Sequence, residues 1–225
     1  PIPNFRFLSI NLKIIAMYIH LLNRWKDDAE VLAFLKKNAF ATLVSQIDSK
    51  PWATHLPLVI DKNEDGKAIL SGHIAKANPQ WKNLADDQEV MVIFQGPHAY
   101  ISSSWYNHEN VPTWNYLAVH VYGKIKLIRG EKLMDHLKKL VDTYEEGRPN
   151  RLSIDTMKAD YVAKQIMALV AFEILITEVH GSRKLSQNRD EINHQNVVKN
   201  LEESSNPWDR EMSEEMRKER SNSLK

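Results

Sequence analysis

Residues 95–123 hold the rings and imidazoles with which this chain could grip a flat ligand. The stretch reads GPHAYISSSWY, a spacer, VPTWNY and then VHVYG, and it gathers Trp105, Tyr106, Trp114 and Tyr116 with His98, His108 and His120. Gly96-Pro97 and Pro112 exclude a long helix, so these side chains are expected on turns between strands, with 97–113 rich in loop. Such an arrangement suits a conjugated ligand held by stacking and a few directed hydrogen bonds. The same tryptophans would serve equally as barrel core, with the histidines as polar filler.

A second segment, GHIAKANPQW (72–81), carries anion chemistry. Gly72 at a strand end permits close backbone approach, and Asn78-Pro79 reads as an N-cap followed by proline at the first helical position. The free N–H groups of Gln80 and Trp81 at that start would receive a phosphate or carboxylate, with Lys76 as a mobile cation and His73 as a further donor. An ordinary capped helix beside a surface lysine would have the same sequence. With seven glycines in all, the chain has neither a dinucleotide fingerprint nor a P-loop. A third segment, KLSQNR (184–189), offers Lys184, Ser186, Gln187, Asn188 and Arg189 after a Gly181 turn, for a polar ring edge or a phosphate, or simply as a capped surface loop.

Other chemistries find less support. His55, in ATHLPL, and His73 lie on neighbouring predicted strands, but no His-x-His or HExxH spacing occurs and no carboxylate is placed as a third ligand, so no metal site is expected. Ser102-Ser103-Ser104 lacks a nucleophile-elbow context and reads as a turn. The absence of cysteine excludes disulfides and thiolate ligands and fits a reducing cytosol. Net charge is +1 with no basic stripe and no helix-turn-helix, so DNA contact is not supported by charge or motif. The apolar run from Ile10 to Leu22 is interrupted by Lys13 and His20 and is too short to span a bilayer, so no membrane partner is expected.

The elements that must position these groups follow from periodicity and punctuation. Asp27 or Asp28 caps a helix through Lys37. Strands are predicted over Ala39–Gln46, Trp52–Ile60, Ala68–Gly72, Val90–Phe94, Tyr116–Ile128 and Leu169–Val179. Helices are predicted from Asn78-Pro79 through Leu84, over Glu131–Tyr144, near 156–168 and over Asn188–Leu201. About six strands at hairpin spacing argue for a mainly β fold, a small antiparallel barrel with helices packed outside. Residues 1–16 are expected to be a non-native or disordered extension, 17–201 the folded domain, and 202–225 a charged tail, helical or disordered, at the periphery.

Seven blocks in order, ATLVSQ (41–46), THLPL (54–58), GHIAKANPQW (72–81), IFQGPHAYISSSWY (93–106), VPTWNYLAVHVYG (111–123), AFEILITEVHG (171–181) and KLSQNR (184–189), closely resemble the PaiB family, FMN-binding-domain proteins described as negative transcriptional regulators in bacteria. The resemblance runs from about Met17 to Leu201. His20 and Ser103 stand where members often carry proline, and Ser182-Arg183 replaces a more usual Lys-Phe. The resemblance implies an FMN-binding split barrel, Greek-key-like with peripheral helices, in a cytoplasmic homodimer with FMN at the subunit interface. Carried over by block, Lys76 with Asn78 and Gln80 would hold the FMN phosphate. Thr54, His55, Leu56, Gly72 and His73 would line the ring and ribityl chain. Trp114 and Asn115 would come from the partner subunit, and Lys184, Ser186 and Gln187 would close the site. Regulation, direct or indirect, is the implied role. A flavin-dependent oxidoreductase on a small substrate, pyridoxamine-phosphate-oxidase-like or flavin-reductase-like, is the alternative, and an empty interaction scaffold is a third.

Overall fold

Seven β-strands and five α-helices make up residues 17–223, the part of the chain that the computed structural model describes; the expectation for residues 1–16 lies outside them. Helix α1 (Asp28–Lys37) opens with Asp28 and Glu30 and closes with Lys36 and Lys37, the charge order that complements the helix dipole. It buries Val31, Leu32, Phe34 and Leu35. Strands β1 (Phe40–Ile47) and β2 (Lys50–Pro57) pair from Phe40↔Pro57 to Ile47↔Lys50. Their two-residue turn, Asp48-Ser49, takes φ of 48° and 64°, the left-handed pair whose twist matches a right-twisted hairpin.

Leu58 interrupts the predicted second strand, so β3 (Val59–Lys62) is separate and pairs with β4 (Ala68–Ala75). Strands β5 (Gln88–Ile101), β6 (Thr113–Ile128) and β7 (Leu169–Lys184) are long. The sheet order is β2-β1-β5-β6-β7-β4-β3, and every register resolved within it is antiparallel. Consecutive strands β2 and β3 thus stand at opposite ends of the order, a Greek-key-like connectivity. Gly123 permits the close approach of β6 to β7: a Cβ there would lie 2.5 Å from both the Ile174 side chain and the Leu175 carbonyl oxygen.

Strand β5 corrects the expectation of a loop from residue 97. It runs through Gly96-Pro97 to Ile101. Its pairing with β1 spans only Met91–Ile93, so Pro97 lies beyond the stretch where β1 would require its missing N–H. The helices are α2 (Gly130–Glu145), α3 (Ala159–Met167), α4 (Glu191–Glu202) and α5 (Pro207–Ser223). The expected helix after Asn78 is a single 3₁₀ segment, Pro79–Asn83. Among the described residues no helix is long and apolar enough to cross a membrane.

The chain divides into two compact units. The first comprises residues 28–94 and 120–179 and centres on Leu35, Leu43, Leu58, Leu70, Phe94 and Phe172, all fully enclosed. Each such side chain contributes roughly 1.5–3 kcal/mol on removal from water. The second comprises residues 17–27, 95–119 and 180–223, with Ile101, Leu117, Leu185, Val197 and Leu201 at its centre. Here the expected peripheral tail is corrected: α5 packs on α4 and buries Met212, Ser213 and Met216.

Candidate functional site

The first unit holds eight of the residues picked out in the sequence, and the structure sorts them. Leu56 and Gly72 face each other in the core. A Cβ on Gly72 would lie 2.6 Å from Leu58 and 3.1 Å from Leu56, so the glycine makes room for these core side chains. Thr54, Asn78 and Gln80 form one hydrogen-bonded brace. The Thr54 hydroxyl donates to Gln80 Oε1 at 2.6 Å and accepts from Asn78 Nδ2 at 2.9 Å. Gln80 Nε2 donates to Ser45 Oγ at 2.9 Å, and the Gln80 backbone N–H donates to Asn78 Oδ1 at 3.0 Å. Gln80 is fully buried. A buried amide must have its hydrogen bonds met, and Gln80 meets them within the chain and so fixes the 76–81 segment. Of the two backbone N–H groups expected to receive a phosphate, Gln80 and Trp81, that of Gln80 is occupied by the cap.

Lys76 remains at the surface, held through its backbone. Its N–H donates to Ala168 O at 2.8 Å, and its carbonyl accepts from Trp81 Nε1 at 2.8 Å. Among the described residues no carboxylate pairs with its ammonium. His55 is also exposed, bonded to Thr42 Oγ1 at 2.8 Å and stacked on the exposed Phe40 ring at 6.5 Å. Phe40 belongs to no motif, and the register, which pairs Thr42 with His55 and Phe40 with Pro57, sets it diagonal to His55 on the hairpin.

His73 lies on the other face of β4 from Gly72, beside Ser71. Its Nδ1 meets His136 Nε2 of α2 at 3.1 Å, and His136 Nδ1 meets Ser71 Oγ at 3.0 Å. Burial lowers the pKa of His73, and burial together with the neighbouring His73 and Lys139 takes His136 from 6.5 to about 4. Both imidazoles are therefore neutral near pH 7. They pin α2 to the sheet, while His55 on β2 has Thr42 as its hydrogen-bond partner.

The second unit gathers the remaining five residues around two features. The first is a cluster of rings. Trp114, at the start of β6, is 54% exposed, with His98 at 6.0 Å and Tyr100 at 5.8 Å. Trp208 of α5 stands edge-on to His98 at 4.3 Å. Trp114 is thus surface and not core. Tyr106 is buried, with the Arg189 guanidinium 4.7 Å above its ring. Trp208 went unmarked because it lies in the charged tail, yet Trp208, Met212 and Met216 recur at the i, i+4, i+8 spacing of one helix face.

The second feature is a cavity of about 460 Å³ lined by Tyr18, His20, Thr113, Tyr116, Lys184 and Arg189, among others. Asn115 is fully buried, and its amide is committed within the chain to Ser186 Oγ, at 3.0 Å from Nδ2 and 3.1 Å from Oδ1, and to Met216 Sδ. Gln187 accepts from Leu185 N–H at 2.8 Å and donates to Leu22 O and Arg183 O. These three residues hold the 184–189 turn, in which Ser186 adopts a φ of 58°. Lys184, bonded to Thr113 Oγ1, is the member of the set that offers charge to the cavity. Among the described residues no group of three or more His, Asp or Glu side chains is placed to hold a metal ion.

A model of the family described as "Putative FMN-binding domain" matches residues 17–178. A Bacillus subtilis relative named "Protease synthase and sporulation protein PAI 2" is 40% identical over 200 residues, covering 89% of this chain and 96% of its own. The chain belongs to the PaiB family of FMN-binding-domain proteins. FMN is the cofactor of that domain. Two solved structures share the fold at a TM-score of 0.57: the flavocytochrome Anf3 of Azotobacter vinelandii, 21% identical over 77% of this chain and 75% of its own, and an FAD- and heme-binding protein of Mycobacterium smegmatis, 16% identical over 77% and 78%. The seven-stranded antiparallel sheet of this PaiB-family chain accordingly has the split-barrel fold. Within the first unit, Lys76 offers an ammonium that no carboxylate among the described residues engages, which suits a phosphate such as that of FMN.

Proposed function

We propose that this PaiB-family chain works as a cytoplasmic homodimer that binds FMN through residues 17–201 and acts as a negative regulator of transcription, directly or through a partner. The exposed Trp114, braced by His98 and Tyr100, carries the reading, since a half-exposed tryptophan in a ring cluster is an expensive surface unless a ligand or a second subunit covers it. FMN when bound supplies one- and two-electron redox chemistry. In this reading Lys76 takes the phosphate, Trp114 stacks on a ring across the subunit interface, His55 borders the site, and the Thr54–Asn78–Gln80 and Asn115–Ser186–Gln187 braces keep both segments in place. The regulatory role rests on the family resemblance and on a Bacillus relative named for sporulation. A net charge of +1 favours the indirect route.

A flavin-dependent oxidoreductase is the second reading, favoured by the ligand-sized cavity of the second unit. Light scattering of the FMN-loaded protein tests the assembly: a dimer mass at micromolar concentration is expected, and a monomer mass contradicts it. Turnover of NAD(P)H with bleaching of the flavin selects the oxidoreductase. Its absence, together with repression that depends on the intact chain, selects the regulator.

A further inference from the structure

The 460 Å³ cavity of the second unit has an unusual charge balance. Its walls are Tyr18, His20, Leu22, Asn23, Val111, Thr113, Tyr116 and residues 184 and 186–189, so it contains Lys184 and Arg189 and no carboxylate at all. Among the described residues no Asp or Glu pairs with either cation. The Lys184 ammonium donates to the Thr113 hydroxyl, and the Arg189 guanidinium rests on the buried Tyr106 ring. Burial and the neighbouring Arg189 charge both lower the pKa of Lys184, as happens when two cations crowd together without a counter-charge. His20 adds a donor. Its Nδ1 accepts from Leu22 N–H, so the neutral ring carries its proton on Nε2.

The turn that presents these groups is fixed from several sides. Ser186 and Asn115 lock together by two reciprocal bonds, and Gln187 ties the turn to Leu22. The Trp25 N–H donates to Gly181 O at 3.0 Å, which secures the His20-bearing segment along the end of β7. Two half-buried cations on a rigid frame, facing a cavity with aromatic walls, amount to a preorganised oxyanion receptor.

We propose that this cavity binds a small organic oxyanion, a carboxylate or a phosphate monoester on an aromatic or similarly apolar body, gripped by Lys184 and Arg189 with Thr113 and His20 as supporting donors. The proposal rests on the function above only in leaving the FMN phosphate to Lys76. The ligand is the substrate or effector of the flavin protein and not the flavin itself.

Calorimetric titration with phenyl phosphate, benzoate and uncharged benzamide tests it on the full chain. At least one of the two anions is expected to bind about tenfold or more tightly than benzamide, and which of them does so identifies the oxyanion. Lys184→Met and Arg189→Met should each weaken that anion about tenfold or more, Lys184→Arg should keep most of the affinity, and Lys76→Ala should leave it unchanged. Retained affinity in Lys184→Arg separates lost charge from lost folding. Equal binding of the anions and benzamide, or an equal loss in Lys76→Ala, would overturn the proposal. So would a Lys184→Met variant that loses FMN but not riboflavin, since the cavity would then hold the FMN phosphate. A chain that binds the anion but no FMN would refute the flavin function while supporting this site.

Discussion

Trp114 separates a ligand wall from a core residue at the scale of one side chain. It is 54% exposed, with the rings of His98 and Tyr100 beside it, so little packing is lost when it is truncated. Trp114→Ala should lower the stability of the flavin-free protein by no more than about 0.5 kcal/mol and abolish flavin binding. A buried tryptophan would instead cost about 3–5 kcal/mol. Thermal melting of the flavin-free variant beside a flavin titration measures both, and a large drop in melting temperature with near-normal flavin affinity would refute the wall. Several candidates in the same motifs turn out to be braces. Gln80, Asn115, Ser186 and Gln187 are polar residues of the type that binds ligands, yet each satisfies a neighbour's hydrogen bond inside the chain. Sequence marks Lys184, Ser186, Gln187 and Arg189 as one polar set for a ligand, but not the direction of each side chain, so only the three-dimensional structure shows which of them brace the turn.

Helix α2 shows how an element is held by titratable groups. It packs Leu133 and Leu137 against Ile128 and Ala171, and its His136 bridges His73 and Ser71 on β4. The folded His136 has a pKa of about 4 against 6.5 for a free imidazole, so the unfolded chain takes up the proton first. Stability contributed by this histidine is fully present above about pH 6.5 and declines as the pH falls toward 4, with a slope of up to about 1.4 kcal/mol per pH unit. His136→Asn should flatten the acid limb of a melting-temperature profile over that window, and an unchanged limb would contradict the assignment. Helix α5 makes a different prediction. Met212 and Met216 are fully buried, so Met216→Ala should destabilise the protein by about 2–5 kcal/mol, read by denaturant unfolding, where a truly peripheral tail would show no effect. The first hairpin, α1 and α2 are legible from punctuation and periodicity, and β7 is legible except at its end, because Gly181 reads as a turn whereas the strand runs on to Lys184. Strand β5 was not, because Gly96-Pro97 reads as a break. The cap at Asn78 was legible, but not that its helix lasts only one 3₁₀ segment.

At the scale of the whole molecule, the sheet order is one that local patterns could not supply, since β1 joins β5 and β4 joins β7 across long stretches of sequence. Family resemblance implied the split barrel, though not its strand order, and the match over residues 17–178 with the shared fold supports that barrel. The flavin is the central claim at this scale, and it makes one arrangement of affinities necessary. If Lys76 holds the phosphate, removing its charge weakens FMN and spares riboflavin, which has no phosphate. Fluorescence titration of FMN and riboflavin into wild type and Lys76→Ala measures this directly. The account predicts saturable FMN binding to the wild type, weakened about ten- to a hundredfold in Lys76→Ala, with riboflavin affinity nearly the same in both proteins. An FMN signal that the wild-type chain leaves unchanged, or an equal loss for both flavins in the variant, would contradict it.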